Sequence, residues 1–329
     1  MITRRDLLVG SLAAGATATI GWTLTSTADT AAAARDPLWV GACPRIPGGS
    51  GLTAAQTVIN VWGTSGRVAI RQFNGGGLGT ALQIPAAAKL IHYSWKPSSV
   101  AAITPTNVAA TLDQAVETNK IIVVEVWHEI DKKVRDGVFS RNEGIARKNR
   151  FYQVVKDLYG NRVKVANTLT GWEADPDNDN TDGDIRPWLD VDADLLGMDF
   201  DGIRPTSNSY VGYFDELPSV HEFLTDARAD LYSGWAIPEW GAPRYSGDPT
   251  GTFRAAWHNT CLNRYRTEGC SYVTAYEYDS TTGYAMTQPA EITGWAAQIA
   301  NPTPVSGPYG GTDPEPTPTP TPTTPSPTC

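Results

Sequence analysis

Residues 121–167 read IIVVEVWHEIDKKVRDGVFSRNEGIARKNRFYQVVKDLYGNRVKVAN. The β-branched run at 121–127 has the length and composition of a buried strand. Ser140-Arg141-Asn142-Glu143 is a capping box, in which hydroxyl and carboxylate each satisfy a backbone N–H left open at a helix start. Tyr152, Val155 and Tyr159 then recur on one helical face, Gly160 supplies the stop, and residues 163–167 turn β-rich again. Strand, helix and strand in that order make a parallel crossover unit.

The same alternation extends in both directions. Further short β-rich runs lie at 39–42, 68–73, 89–95, 194–200, 235–238 and 271–276, making eight with the two above. Thr104-Pro105 caps and opens a helix that carries Val108, Leu112, Ala115 and Val116 on one face. Residues 253–267 and 289–300 are further helical stretches. Residues 78–87, with Pro85 and little periodicity, predict a degraded helix. Eight strands alternating with helices over 35–301 predict an α/β fold, a (β/α)8 TIM barrel. The rival is a doubly wound open sheet, but the chain carries no G-x-G-x-x-G and no P-loop. Active sites of such barrels lie at the C-terminal ends of the strands.

Two different segments flank the barrel. Residues 1–34 read as a twin-arginine-type signal: Thr3-Arg4-Arg5-Asp6-Leu7-Leu8, a small and apolar run, and an A-x-A cleavage site at Ala32-Ala33-Ala34. Residues 302–329 are a Pro/Thr-rich linker that favours extended polyproline II and lacks the apolar content for a core. Secretion is the expectation, with no membrane span after cleavage. Export permits a disulfide between Cys261 and Cys270, while Cys43 reads as a buried thiol and Cys329 has no evident partner.

The chain has 329 residues, 41% of them hydrophobic and 19% charged, with 26 basic against 35 acidic residues. A net charge of −9 argues against a nucleic-acid binder and against docking on anionic membranes. Eleven Trp and 13 Tyr against seven Phe favour rings with a flat apolar face and a polar edge, as sugar surfaces require. There is no H-x-H, H-E-x-x-H or Cys-His spacing for a catalytic zinc, and no G-x-S-x-G elbow.

The strand ends carry the chemistry. Strand four ends Val126-Trp127-His128-Glu129, and strand seven ends Ile237-Pro238-Glu239-Trp240-Gly241. Strands four and seven face each other across a barrel mouth, and paired carboxyls there are what retaining glycoside hydrolysis needs. One carboxyl protonates the leaving oxygen and the other attacks as an ionised nucleophile.

These motifs resemble the acid/base and nucleophile motifs of the retaining barrel glycosidases of the GH-A clan. His128 before the glutamate is particularly similar to glycoside hydrolase family 26, where most clan relatives carry Asn. That family consists mainly of endo-β-1,4-mannanases, with β-1,3-xylanases and mixed-linkage glucanases. The resemblance implies that Glu129 is the acid/base, Glu239 the nucleophile and His128 a hydrogen-bonding neighbour of the sugar. The tyrosine that the family places near the end of strand six is not evident in Met198-Asp199-Phe200-Asp201.

Other strand-end residues complete the expected site. Arg71 either holds Glu239 ionised or pairs structurally with Glu125. His92 and Asp201 are expected at the mouth, bonding sugar hydroxyls. Trp95, Trp127, Trp172, Trp240 and Tyr276 are candidate sugar platforms, with Trp127 or Trp240 as an apolar wall that raises the Glu129 pKa. The loop from Asp175 to Asp184 reads as a solvated acidic segment. Its alternating Asp175, Asp177 and Asp179 would be the ligands of a structural Ca²⁺, although Asn180 and Arg186 break the EF-hand pattern. No metal or cofactor is expected in the chemistry. The expected protein is a monomeric, secreted, retaining endo-β-glycosidase acting on a polysaccharide, foremost β-1,4-mannan. The alternatives are a non-catalytic carbohydrate-binding barrel, or an enzyme for β-1,3-xylan or mixed-linkage β-glucan.

Overall fold

Alternate residues of each β-rich run face opposite ways, and the two faces differ in chemistry. On the fifth run Val163, Val165 and Leu169 join the large apolar layer outside the sheet, whereas Ala166 belongs to a small cluster with Ala69, Leu90, Val123, Leu195, Ala236 and Tyr272. Burial on both faces is the mark of a parallel sheet covered by helices. The computed structural model describes residues 38–45, 59–62, 67–74, 77–174, 185–201, 234–267, 269–278 and 283–300. The expected signal and linker, and the Asp175, Asp177 and Asp179 loop, lie outside the described residues.

All eight expected strands are present. They are β1 (Trp39–Arg45), β2 (Val68–Asn74), β3 (Ala88–Trp95), β4 (Ile121–Val126), β5 (Val163–Thr170), β6 (Leu195–Asp201), β7 (Gly234–Gly241) and β8 (Cys270–Tyr278). They pair in chain order, all parallel, and β8 closes on β1 along its whole length, from Trp39 opposite Tyr272 to Arg45 opposite Tyr278. The fold is a (β/α)8 barrel. The seam between β1 and β2 is tight: a Cβ on Gly41 would lie 1.7 Å from the Ala69 carbonyl oxygen.

The helices α1 (Pro105–Val116), α2 (Ile130–Arg135), α3 (Arg141–Tyr159), α4 (Thr252–Thr267) and α5 (Pro289–Ala300) follow β3, β4, β4, β7 and β8. Thr104 Oγ1 accepts from the Asn107 N–H at 3.1 Å and Pro105 occupies the first turn, where its missing N–H costs nothing. Ser140 Oγ accepts from the Glu143 N–H at 3.3 Å, but the Glu143 carboxylate pairs with Arg147 one turn on. Gly160 ends α3 at φ 55°, which glycine adopts without strain. The buried face of α3 is Phe151, Val154 and Val155, with Tyr152 and Tyr159 half-buried beside it.

One register irregularity matters for the site. Ile237 lies opposite Val273 and Trp240 opposite Ala275, and on the other side Gly197 lies opposite Ala236 and Phe200 opposite Trp240. Both neighbours therefore place one extra residue in β7 between Ile237 and Trp240, a β-bulge at Pro238-Glu239. Thr274 Oγ1 donates to the Pro238 carbonyl within it.

The expected disulfide is corrected. Cys261 on α4 and Cys270 on β8 are buried thiols, and Cys270 Sγ donates to the Tyr272 carbonyl at 3.3 Å. The two sulfurs flank the buried Tyr265, whose phenol is raised by burial and by both thiols. Among the described residues no helix is long and apolar enough to cross a membrane.

Candidate active site

The mouth is built on a buried arginine. Arg71 lies on the inward parity of β2, one step above Ala69, and is fully buried. Its Nη2 is 2.9 Å from Glu125 Oε1 and 3.8 Å from Asp199 Oδ2, and its Nε is 3.5 Å from Glu239 Oε1. A single guanidinium thus faces carboxyls from β4, β6 and β7. Burial alone would lower its pKa, but Asp199, Glu125 and Glu239 outweigh it and raise it. Arg71 makes its short bond to Glu125 and also comes within 3.5 Å of Glu239, so both of its anticipated neighbours are beside it.

Glu125 is the structural end of this network. Its Oε2 accepts from the Thr168 N–H at 3.2 Å and faces Lys148 Nζ of α3 at 3.4 Å. Burial would raise Glu125, but Lys148, Arg71 and His92 reverse that and hold it well below the usual carboxylate range.

His92 does not line the mouth, which corrects the expectation of a sugar contact. It is fully buried, with Nε2 3.2 Å from Glu125 Oε1 and Nδ1 2.6 Å from the Tyr272 hydroxyl. Burial and Arg71 push it down to about 4, so it is neutral at pH 7. Donation from Nε2 to Glu125 leaves Nδ1 as the acceptor facing both the Tyr272 hydroxyl and Arg71 Nη1, each 2.6 Å away.

Glu129 and Glu239 both stand at the C-terminal end of the barrel. The chain leaves β4 through two left-handed residues, Trp127 at φ 53° and Glu129 at φ 51°. Non-glycine residues there cost about 1–3 kcal/mol each and persist only where surroundings fix them. Here the Trp127 N–H donates to the Trp95 carbonyl at 2.8 Å and the Glu129 N–H to the Thr168 carbonyl at 3.1 Å. These bonds tie the turn to β3 and β5. The Glu129 side chain is 19% exposed, with Lys133 Nζ 3.8 Å and His128 Nε2 3.9 Å from Oε2. That of Glu239 is 11% exposed. His128 packs its ring 4.4 Å from that of Phe73, and Ser94 Oγ lies 3.4 Å from its Nδ1. Burial and Arg71 hold His128 well below its usual value, so it too is neutral.

The sequence reading favours Asp201 on β6, whereas the structure puts Asp199 in the site. Asp199 shares the inward parity of Leu195 and Gly197, and the outward Met198 and Phe200 are core. Burial first, then Glu239, raise it well above the usual carboxylate range, with a further push from Glu129. The side chains of Asp201 and Trp172 lie outside the described residues.

Two of the platform expectations, Trp95 and Trp240, are corrected. Trp95 is outward on β3, 1% exposed, with its ring 6.3 Å from Phe151 of α3. Trp240, outward because of the β7 bulge, is 2% exposed and stacks on Trp257 at 4.6 Å and Trp295 at 5.7 Å. Trp127 is half-buried, donating Nε1 to the Pro97 carbonyl at 2.9 Å and meeting Phe139 edge-on. The charged or ionisable groups beside Glu129 are Lys133 and His128. Tyr276 keeps inward parity on β8, half-buried and edge-on to Tyr284 at 5.4 Å.

A cavity of about 540 Å³, lined by residues 80–84 with Gln114, Ala115 and Thr118, adjoins the C-terminal turn of α1. That turn leads into the start of β4, so the cavity belongs to the opposite end of the barrel from Glu129. Among the described residues no cluster of three His, Cys, Asp or Glu is arranged to hold a metal ion.

No protein-family model matches the chain, and no curated protein matches it in sequence. Solved structures are similar in backbone. One is a glycoside hydrolase family 128 endo-β-1,3-glucanase from Amycolatopsis mediterranei bound to laminaripentaose, at 10% identity and TM-score 0.47, covering 78% of this chain and 98% of that one. Another is a family 26 β-mannanase from Bacteroides ovatus, at 16% identity and TM-score 0.45, covering 81% and 88%. A third is a family 5 xyloglucan-specific endo-β-1,4-glucanase from a metagenomic library, at 13% and 0.45, covering 80% and 96%. At such identities a shared barrel does not transfer a function, which rests on the residues of the site.

Proposed function

We propose that this chain is a secreted retaining endo-β-glycosidase of polysaccharides, with β-1,4-mannan the first substrate to try. The observation that carries the reading is the pair of glutamates at the C-terminal ends of β4 and β7, one of them held by a buried arginine. In this reading the Glu239 carboxylate attacks the anomeric carbon while Glu129 hands its proton to the leaving oxygen. Glu129, now ionised, then takes a proton from water, which hydrolyses the glycosyl ester and restores both groups. Arg71 keeps Glu239 charged and aimed. Neutral His128, with Ser94 at Nδ1, presents its other nitrogen to Glu129 and to the sugar beside it.

A second reading is a barrel that binds carbohydrate without cleaving it. Lys133 beside Glu129 favours it, since an ammonium is an unusual neighbour for a group that must deliver a proton. Reducing-sugar release across mannan, β-1,3-xylan and mixed-linkage glucan separates the two; binding without release from any of them would support the second. For the enzyme, Glu239→Ala abolishes turnover, and azide restores it with inverted anomeric configuration. Glu129→Ala spares activated aryl glycosides, and azide gives product of retained configuration. Exchange of these behaviours would reverse the roles, and inversion by the wild type would end the retaining mechanism.

A further inference from the structure

Among the described residues, three carboxyls converge on two buried cations inside the barrel. Glu125 is matched by Lys148 at 3.4 Å and by the nearest Arg71 contact at 2.9 Å. Arg71 then faces two more carboxyls, Asp199 at Nη2 and Glu239 at Nε. Nε and Nη2 form one edge of the guanidinium, so Asp199 and Glu239 are both drawn to the same cation. The other described groups around Asp199 and Arg71 add no compensating charge: Cys43 from β1, His92 from β3, neutral His128 and Glu129 from the end of β4, and Tyr272 from β8. Asp199 is 5% exposed, and neither of its oxygens accepts a hydrogen bond from a described donor. A buried, ionised carboxylate with no donor is among the costliest states a side chain can occupy, and a shared proton removes it.

We propose that Asp199 holds a proton while Glu239 is ionised and turns it toward the Glu239 carboxylate, as a positioning residue that sets the basicity of that group. The placement of the proton follows from the geometry of the three carboxyls; its effect on catalysis rests on the reading of Glu239 as nucleophile. Donation to an ionised carboxylate favours the ionised form, so Asp199 and Arg71 act in the same direction on Glu239. The direction in which burial and Glu239 move Asp199 agrees.

The test is a carboxyl ¹³C NMR titration of the full chain, comparing wild type with Asp199→Asn and Glu239→Gln. The resonance absent from Asp199→Asn identifies Asp199. It is expected to titrate well above the usual carboxylate range, and to fall by about one pH unit or more in Glu239→Gln, where the like charge is gone. Ionisation of Asp199 in the ordinary range in wild type, or a midpoint unmoved by Glu239→Gln, would overturn the proposal. Should Asp199→Asn fold poorly, the highest-titrating aspartate in wild type and its shift in Glu239→Gln decide the same question. Where glycosidase activity is found, the acid limb of kcat/KM supplies a second measure. Asp199→Asn, still a neutral donor, leaves that limb in place, whereas Asp199→Ala moves it to higher pH and lowers kcat/KM about 10²-fold through misplacement of Glu239. A purely structural role would lower activity without moving the limb. A coupled titration in a protein that cleaves no polysaccharide would sustain the pairing and sink the glycosidase reading alone.

Discussion

Arg71→Met is the most informative single perturbation of stability. The thioether fills much of the arginine stem's space and removes the guanidinium from Glu125, Asp199 and Glu239, at 2.9, 3.8 and 3.5 Å. Removing one partner of a buried ion pair costs about 3–5 kcal/mol, because the other charge is left uncompensated. Glu125 retains Lys148 and the Thr168 N–H, and Asp199 is protonated, so the loss falls mainly on Glu239 and should lie at the lower end, about 3 kcal/mol near pH 7.5. The loss must shrink on acidification. In wild type Glu125 is held below its ordinary value, so its stabilisation is present above that value and fades as pH falls through the folded one. In the variant Glu239, left without its cation, moves above its ordinary value. The folded chain then binds protons that the unfolded chain does not, and stability is lost as pH rises. Both effects narrow the gap between the two proteins at low pH, by up to about 1.4 kcal/mol per pH unit for each extra proton held. Urea unfolding at about pH 7.5 and 4.5 measures it. A gap that is the same at both pH values, or below about 0.5 kcal/mol at the higher one, would refute the reasoning.

Trp240→Ala tests which side of β7 the indole faces. It should lower stability by about 3–5 kcal/mol in chemical denaturation, as a core tryptophan does, with KM unchanged for any substrate found; a raised KM with stability intact would return Trp240 to the mouth. Cys261 and Cys270 should both alkylate in denaturant without reductant, read by mass spectrometry, whereas protection of the pair until reduction would restore the disulfide.

The strands are legible in the sequence because burial on both faces leaves near-continuous β-branched runs, as in 121–126. The caps of α1 and α3 are legible because Thr104, Pro105, Ser140 and Gly160 act on the backbone beside them. The short α2 is not, since Asp131-Lys132-Lys133-Val134-Arg135 has no apolar period and its turn is set by bonds to β3 and β5. Glu129 and Glu239 can be found from position alone, at the ends of strands four and seven. Position at a strand end does not say which face a side chain takes, and for that reason His92, Trp95 and Trp240 lie elsewhere than expected. Trp240 is the hardest, because its face depends on a bulge that pairing with β6 and β8 imposes. Asp199 is within reach: a carboxylate between Met198 and Phe200, at even spacing from Leu195, points away from the outer core.

The near-parallel stack of Trp257, Trp240 and Trp295 gives the protein an optical property of its own. Indoles so close in a rigid, chiral frame couple their transitions, and the resulting near-ultraviolet circular dichroism depends steeply on their mutual tilt. Trp240 follows Glu239 directly in the chain. Any displacement of β7 that carries the carboxylate along the barrel axis also turns the middle indole of the stack. Light absorbed in the helical layer therefore reports the position of a carboxylate on the other side of the sheet, without a label and without a substrate.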